Sequence, residues 1–273
     1  MAIHPMAIVS DSAEVAPDAM VDAFAVVEPH VRIGPGARLW SGSFIGSGTT
    51  IGARCQVHPG AVVGHVPQVG QPGREGSRCV IGDDNVIREH AVIHRDTGEG
   101  AVTRIGNRNR IQVRALVSHN CSLGDNIVIG SGAQLMGQVV VEDQATVGAG
   151  ATIEAFARLG RFTRVSTGAR IELDVPPFTQ VGRDGVVRGL NVVALRRAGF
   201  DLATREALSQ AFARLFPRGV LDERVLKDLE QHSRLPEIAS LVRFLSGCRR
   251  GVALWSGDDA PIEEADSPPE QIV

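Results

Sequence analysis

A period of six residues constrains this chain more than any other feature. Stepping by six reaches Val, Ile or Leu at every position along 9–63, 81–93 and 105–171, which makes 25 aliphatic anchors. This spacing fits neither the 3.5- nor the 3.6-residue period of helices. It predicts a hexapeptide-repeat β-helix, in which three hexads form one triangular coil of about 18 residues.

Each hexad also carries a small residue and, in many cases, a glycine. The fourth residue after an anchor is mostly Ala, Ser, Thr or Cys, and the residue directly after the anchor is often Gly, as at Gly34 and Gly46. Side-chain alternation in strands points the anchor and the small residue to the interior. We expect the glycines to supply the turn geometry that residues with a Cβ resist.

The rod is expected to span 1–180, with two loops ejected from it. The segments 65–79 and 96–103 are interruptions after which the six-residue frame resumes unchanged. Loops on a rigid scaffold often carry function, although a tolerated insertion explains such a segment equally well. The prolines within 174–178 are expected to end the ladder, because proline cannot donate a ladder hydrogen bond.

An α-helical domain is predicted over 190–256. Amphipathic spacing indicates helices at 204–216, 221–232 and 236–247, with Thr204 and Asp222 as N-caps. The acidic, proline-rich segment 257–273 is predicted to be disordered.

Composition narrows the functional class. The chain has 28 basic and 31 acidic residues and a net charge of −3, which gives no electrostatic case for nucleic-acid binding. Its four cysteines are scattered without a Cys-x-x-Cys pair, which favours free thiols in a reducing cytoplasm. No apolar run reaches the roughly 18 residues of a membrane span, so we expect a soluble cytoplasmic protein.

The histidines offer two kinds of chemistry. His90, His94 and His119 could supply three ligands to zinc from neighbouring coils, but their spacing does not favour a metal site. His119 lies in a turn, and Gly137 occupies the equivalent position one coil later. A neutral imidazole beside an accessible backbone N–H suits acyl transfer, with the ring as general base and the N–H as oxyanion donor. A solvated turn histidine is the alternative.

The chain resembles one enzyme family over nearly its whole length, and four segments carry the most specific matches. They are Ser118–Cys121, Ile93–Arg95, Asp174–Phe178 and Gly189–Phe200, and they are similar to the UDP-N-acetylglucosamine O-acyltransferases of lipid A synthesis. The resemblance implies a left-handed β-helix homotrimer with active sites between subunits and no cofactor. It also implies acyl carrier protein as the acyl donor and a UDP-amino sugar as the acceptor.

The resemblance also implies roles for individual residues. His119 corresponds to the general base that deprotonates the sugar 3-hydroxyl, and Gly137 to the glycine whose N–H faces the thioester oxygen. The substrate-binding positions correspond to Gln68, His94, Leu116, Gln138, Glu154, Asn191 and Arg197. Ser166 and Thr167 correspond to the acyl-chain pocket, where a side chain in place of the family's glycine is expected to shorten the pocket.

The departures from the family cluster at the acceptor site. Leu116, Gln138 and Glu154 replace histidines, and Asn120 replaces the aspartate after the catalytic histidine. Val69, Val193 and Ala198 replace charged residues. Losing a buried hydrogen-bonding partner typically costs about 1–3 kcal/mol. The acceptor therefore stays open between UDP-N-acetylglucosamine, a 3-amino variant and an unrelated molecule, and a non-catalytic trimeric scaffold is the alternative from another class.

A group of arginines adds local positive charge to the same region. It comprises Arg110, Arg114, Arg161 and Arg164. These side chains suit either an anionic acceptor or a solvated surface.

Overall fold

A computed structural model describes residues 2–69 and 76–256 of the 273-residue chain. The chain forms a left-handed parallel β-helix followed by four α-helices, as the sequence predicts. Part of the first predicted loop and the whole predicted tail, 257–273, lie outside the described residues.

The strands are short, and most contain two residues. In chain order, β1 to β28 are Ala2–Ile3, Ile8–Val9, Glu14–Val15, Met20–Val21, Val26–Val27, Arg32–Ile33, Arg38–Leu39, Phe44–Ile45, Thr49–Ile51, Gln56–Val57, Val62–His65, Arg78–Ile81, Val86–Ile87, Val92–His94, Val102–Ile105, Arg110–Ile111, Leu116–Val117, Ser122–Leu123, Val128–Ile129, Gln134–Leu135, Val140–Val141, Thr146–Val147, Thr152–Ile153, Arg158–Leu159, Arg164–Val165, Arg170–Ile171, Thr179–Val181 and Val187–Leu190.

These strands stack into three sheets that form the faces of the rod. The first sheet has 11 strands and begins with β1 and β4, the second has nine and begins with β2 and β5, and the third has eight and runs from β3 to β24. Leu116 pairs with Gln134, and Arg110 pairs with Val128, so each strand stacks on the strand three hexads further along the chain. The register confirms the predicted coil.

The interior of the rod is built from the anchors and the small residues. Nearly all anchors from Val21 onward are at most 3 % exposed, and Ala25, Ala61 and Ala133 are fully buried beside them. Large and small side chains therefore alternate across the narrow triangular core, which lets it reach close packing.

The glycines directly after the anchors do not supply the turn geometry, contrary to the expectation from sequence. A Cβ on Gly34, directly after an anchor, would lie 2.7 Å from the carbonyl carbon of Gly52 in the next coil. That glycine is therefore required by close approach between coils. The left-handed turn conformation falls on the third residue after the anchor, as at Gly36 (φ 66°) and Asn120 (φ 61°). Apart from glycine, Asn, Asp and His adopt this conformation most readily, although Phe, Arg and Gln also occupy it in this rod.

A ladder of buried asparagine amides closes turns between the third and first sheets. Asn85 Nδ2 donates to Gly106 O at 2.8 Å, and its Oδ1 accepts from Asn109 N at 2.9 Å. Asn109 Nδ2 donates in turn to Gly124 O at 3.0 Å, and its Oδ1 accepts from Ile127 N at 2.7 Å. Because both side chains are fully buried, these bonds satisfy backbone groups that water does not reach.

Both interruptions leave the rod at the same edge. The first lies between β11 and β12 and the second between β14 and β15, so each joins the second sheet to the third. The register step is longer than three hexads between Gln56 and Val86, and again between Val86 and Arg110, because each of these coils contains a loop. We call this edge the site edge; it comprises residues 66–69, 76–77, 95–101, 118–121, 136–139 and 154–157.

The first sheet continues past the prolines by two more strands. β27 pairs in parallel with β25, and β28 then pairs antiparallel with β27. The expectation that the ladder ends within 174–178 was therefore wrong. The chain re-enters the first sheet directly after Phe178. The ring of Phe178 begins a second core, where it lies 6.0 Å from the ring of Phe162.

Four helices cover this end of the rod. They are α1 (Val192–Arg197), α2 (Leu202–Leu215), α3 (Glu223–His232) and α4 (Pro236–Ser246). The last three lie where amphipathic spacing predicts them, whereas α1 was not predicted. Asp222 caps α3 as expected, but Asp201 caps α2 by accepting from Thr204 N, so Thr204 is not the N-cap. None of these four helices in the described residues is long and apolar enough to cross a membrane.

Candidate active site

His119 lies on the site edge, two residues after the end of strand β17. Its side chain is half-buried, and its Nδ1 lies 2.6 Å from Oδ1 of Asn120. A carbonyl oxygen only accepts hydrogen bonds, so with the Asn120 amide in this orientation the ring proton lies on Nδ1 and a lone pair is left on Nε2. A neutral imidazole with a free Nε2 can take up a proton from a bound molecule.

Gly137 lies against the ring of His119, one coil further along. A Cβ at this position would lie 2.6 Å from Cε1 and 2.7 Å from Nε2 of His119, well inside contact distance. The absence of a side chain therefore decides where the ring can be. Within the described part of the chain, no acceptor takes the Gly137 N–H. A histidine ring and a backbone N–H without an acceptor thus come from adjacent coils.

Asn120 is held by residues that sequence reasoning did not single out. Thr97 Oγ1 lies 3.1 Å from Asn120 Oδ1, and Asn120 N donates to Thr103 Oγ1 at 2.9 Å. Thr97 belongs to the second loop and Thr103 to β15, where it is fully buried. The predicted loop 96–103 was the available signal, since it leaves the rod at the level of His119.

His94 lies at the end of β14, next to the second loop. It pairs with His65 across the sheet and is 5 % exposed, and its Nδ1 has no partner among the described residues. Burial lowers the pKa of His94, and positive charge on His65 and His119 lowers it further. Both effects favour the neutral form of His94, whose buried Nδ1 has no partner among the described residues.

The other candidate positions of the acceptor site are spread along the same side of the rod. Gln68 is exposed in the first loop, and Leu116 is half-buried on β17, where it faces outward. Gln138 follows Gly137 and is exposed. Glu154 lies one coil beyond and pairs with Arg170 at 2.8 Å, so its carboxylate already has a cationic partner.

Asn191 has a structural role that sequence reasoning missed. Its Oδ1 caps α1 by accepting from Ala194 N at 3.3 Å, and its Nδ2 donates to Phe162 O at 2.9 Å. The side chain is buried, and its oxygen and nitrogen both have intramolecular partners. Arg197, at the end of α1, is exposed and remains open to a ligand.

Ser166 and Thr167 lie on a different edge of the rod from His119. They follow β25 of the first sheet and precede β26 of the second. Thr167 O accepts from Arg183 Nε at 3.0 Å. A single chain therefore does not bring the predicted acyl-chain residues together with the predicted base.

The three histidines considered for zinc do not converge. His90 lies on the edge between the first and second sheets, with its ring over Gly60. Across residues 2–69 and 76–256, no group of three His, Cys, Asp or Glu side chains is placed to hold a metal ion.

The six-residue period and the three stacked sheets are those of a hexapeptide-repeat β-helix, and this one carries a histidine and two loops on one edge. The family model described as UDP-N-acetylglucosamine O-acyltransferase, domain 2, matches residues 174–253. The chain belongs to the UDP-N-acetylglucosamine O-acyltransferase family.

Solved structures support this membership over almost the whole chain. The UDP-N-acetylglucosamine acyltransferase of Campylobacter jejuni is 32 % identical and superposes with a TM-score of 0.86, covering 92 % of this chain and 99 % of that one. The O-acyltransferase of Moraxella catarrhalis is 30 % identical with a TM-score of 0.87, covering 93 % and 100 %. The acyl-[acyl-carrier-protein]–UDP-N-acetylglucosamine O-acyltransferase of Gloeothece citriformis is 36 % identical over 126 residues, which is 46 % of each chain. The chain thus matches about half the length of such curated relatives.

Proposed function

We propose that this protein moves an acyl group from an acyl-carrier-protein thioester to the 3-position of a UDP-amino sugar. The observation that carries the proposal is the His119 ring, with its Nδ1 bonded to Asn120 Oδ1 at 2.6 Å and Gly137 packed against it. The names of the relatives in Campylobacter and Gloeothece support the same donor and acceptor classes.

The reaction follows from the two groups on the site edge. Nε2 of His119 takes the proton of the acceptor hydroxyl as its oxygen attacks the thioester carbonyl carbon. The carbonyl oxygen becomes an oxyanion, which the Gly137 N–H stabilises by a hydrogen bond. The intermediate then collapses, the carbon–sulfur bond breaks, and the imidazolium returns its proton to the departing thiolate.

Asn120 favours a second acceptor within the same reaction class. A carboxylate beside Nδ1 would stabilise the imidazolium that forms, whereas the neutral Asn120 amide does so less. An amine is a stronger nucleophile than a hydroxyl and needs proton removal only after attack. A 3-amino sugar is therefore the second candidate acceptor.

We further propose that the protein acts as a homotrimer. Support comes from the position of Ser166 and Thr167, which lie on another edge of the rod than His119. A neighbouring subunit would supply the missing wall of the acyl pocket. Sedimentation at assay concentration should give three chains per particle, and an active monomer would contradict this arrangement.

A cytoplasmic location is part of the proposal. Support comes from the cysteines, since Cys55, Cys79, Cys121 and Cys248 are all free thiols. Free thiols are usual in a reducing compartment.

The test is an acyl-transfer assay with UDP-N-acetylglucosamine and its 3-amino analogue, each offered with acyl carrier proteins of several chain lengths. We expect turnover by the native protein and a loss of at least about 100-fold in His119→Ala, the usual scale of general-base catalysis. Thr167→Gly should shift the preference to longer chains. If no pair turns over and no UDP-sugar binds by calorimetry, the protein is a non-catalytic scaffold.

A further inference from the structure

The second loop returns to the rod at the residue that holds His119. Thr97 Oγ1 is 3.1 Å from Asn120 Oδ1, the same oxygen that lies 2.6 Å from His119 Nδ1. Three side chains from two coils are thus joined in one line, from the loop hydroxyl through the amide to the imidazole.

The position of Thr97 is fixed by the residues on either side of it. The buried carboxylate of Asp96 accepts from Gly98 N at 2.7 Å, which closes a turn around Thr97. Asp96 N donates to Arg78 O at 3.3 Å, and Ala101 N donates to Gly98 O at 3.3 Å. The hydroxyl is therefore presented by an ordered turn, although it belongs to a loop.

Asn120 is also held on its backbone. Its N–H donates to Thr103 Oγ1, and Thr103 is fully buried in β15. The backbone adopts a left-handed conformation with φ 61°, which Asn tolerates better than most residues. With the backbone held, the orientation of the side-chain amide of Asn120 decides which of its two polar atoms faces the imidazole.

An amide does not choose a histidine tautomer by itself. If Asn120 presents its oxygen, His119 keeps its proton on Nδ1 and has a lone pair at Nε2. If the amide turns over, its NH₂ donates to Nδ1, the ring proton moves to Nε2, and the lone pair that a general base needs is lost. An ionised aspartate at this position could only accept a hydrogen bond from Nδ1. The choice between two tautomers therefore exists because residue 120 is an asparagine.

We propose that Thr97 is a positioning residue that donates to Asn120 Oδ1 and so keeps the His119 proton on Nδ1. The second loop then controls the competence of His119 without touching the substrate. This inference rests on the proposed role of His119 as general base, but its spectroscopic test does not require turnover.

The experiment compares four variants with the native protein. Thr97→Val removes the hydroxyl at nearly constant shape, Thr97→Ser restores it, and Thr97→Val/Asn120→Asp replaces the amide with an acceptor that has no NH₂. Thr50→Val is the matched control, since Thr50 lies on the outer face of the third sheet. Nitrogen-15 chemical shifts of His119 report the tautomer, with the signal assigned from its absence in His119→Gln, and kcat and KM are measured in parallel.

We expect native His119 to carry its proton on Nδ1 and Thr97→Val to show a mixture of tautomers. The same variant should lose about tenfold in kcat at unchanged KM, a part of what general-base catalysis contributes. Thr97→Ser and the double variant should recover both properties, and Thr50→Val should leave both unchanged.

Three results would overturn the inference: a native Nε2–H tautomer, an unchanged tautomer and kcat in Thr97→Val, or no recovery in Thr97→Ser. A protein without any acyl transfer whose His119 still changes tautomer in Thr97→Val would uphold the role of Thr97 and refute the acyltransferase instead.

Discussion

Gly137→Ala is the sharpest test of the geometry around His119. The new Cβ would lie 2.6 Å from Cε1 and 2.7 Å from Nε2 of the ring, whereas ordinary contacts begin at 3.4 Å. The ring must therefore move by about 0.8 Å, and the 2.6 Å contact between its Nδ1 and Asn120 Oδ1 must lengthen or tilt. The backbone N–H of residue 137 is retained, so the variant tests the position of the proposed base, His119, and not the proposed oxyanion donor.

The expected effect follows from the size of this displacement. A misplacement of about 1 Å can cost on the order of 100-fold in rate, so we expect kcat/KM to fall by about 10- to 100-fold. This corresponds to roughly 1.4–2.7 kcal/mol of transition-state stabilisation. Stability should fall much less, because His119 is only half-buried and can swing toward solvent.

The matched control is Gly60→Ala. A Cβ on Gly60 would lie 2.5 Å from Nδ1 of His90, which is an equally close approach of a glycine to a histidine ring on a different edge of the rod. Gly60 also has φ 70°, so this substitution should cost more stability than Gly137→Ala. The measurement is kcat/KM together with the melting temperature. Full activity in Gly137→Ala, or an equal loss in Gly60→Ala, would refute the assigned geometry.

Three further predictions concern stability and reactivity. Asn109→Val should lower the free energy of unfolding by about 2–5 kcal/mol in urea titrations, because Ile127 N and Gly124 O lose their partners; a change below about 1 kcal/mol would mean that water replaces the amide. Burial raises the pKa of the Cys79 and Cys121 thiols to about 12, so iodoacetamide at pH 8 should modify them about 1000-fold more slowly in the native protein than in guanidinium chloride, as followed by mass spectrometry. Because burial lowers the pKa of His94, the unfolded chain binds its proton more readily, so stability should be full above about pH 6.5 and fall as the pH drops from there through the native pKa. His94→Gln should flatten this part of the melting-temperature curve, and parallel curves would exclude His94 as the cause.

The rod could be predicted because its period is redundant. Any one anchor is weak as a signal, but 25 consistent positions fix the coil, the inward face and the edges at which loops leave. The three long helices were predictable for a similar reason, since several apolar residues mark each face. The short helix α1 offers too few, and Asn191, which the family resemblance places at the substrate, also caps this helix.

The site was less accessible from sequence. His119 and Gly137 stand one coil apart, but Gly60 and His90 show that a glycine against a histidine also occurs on another edge of the same rod. Thr97 and Asn120 are separated by a distance along the chain that is no multiple of the coil, because the second loop intervenes. Contacts made by a loop therefore lie outside what a periodic pattern can predict.

Because the coils stack regularly, the distance between two equivalent residues along the rod axis is a whole number of coil rises. Any ligand that reaches from His119 toward the helices at the end of the rod meets walls that advance by one coil, roughly 4.8 Å, at a time. The distance between His119 and a later residue can change in large steps only if the rod gains or loses a whole coil. Such a change would keep every later residue on its own edge of the rod and move all of them along the axis by the same amount. Finer adjustment of reach is left to single side chains on an edge, which is the role proposed for Thr167, and one substitution there is the smallest change that can alter the reach.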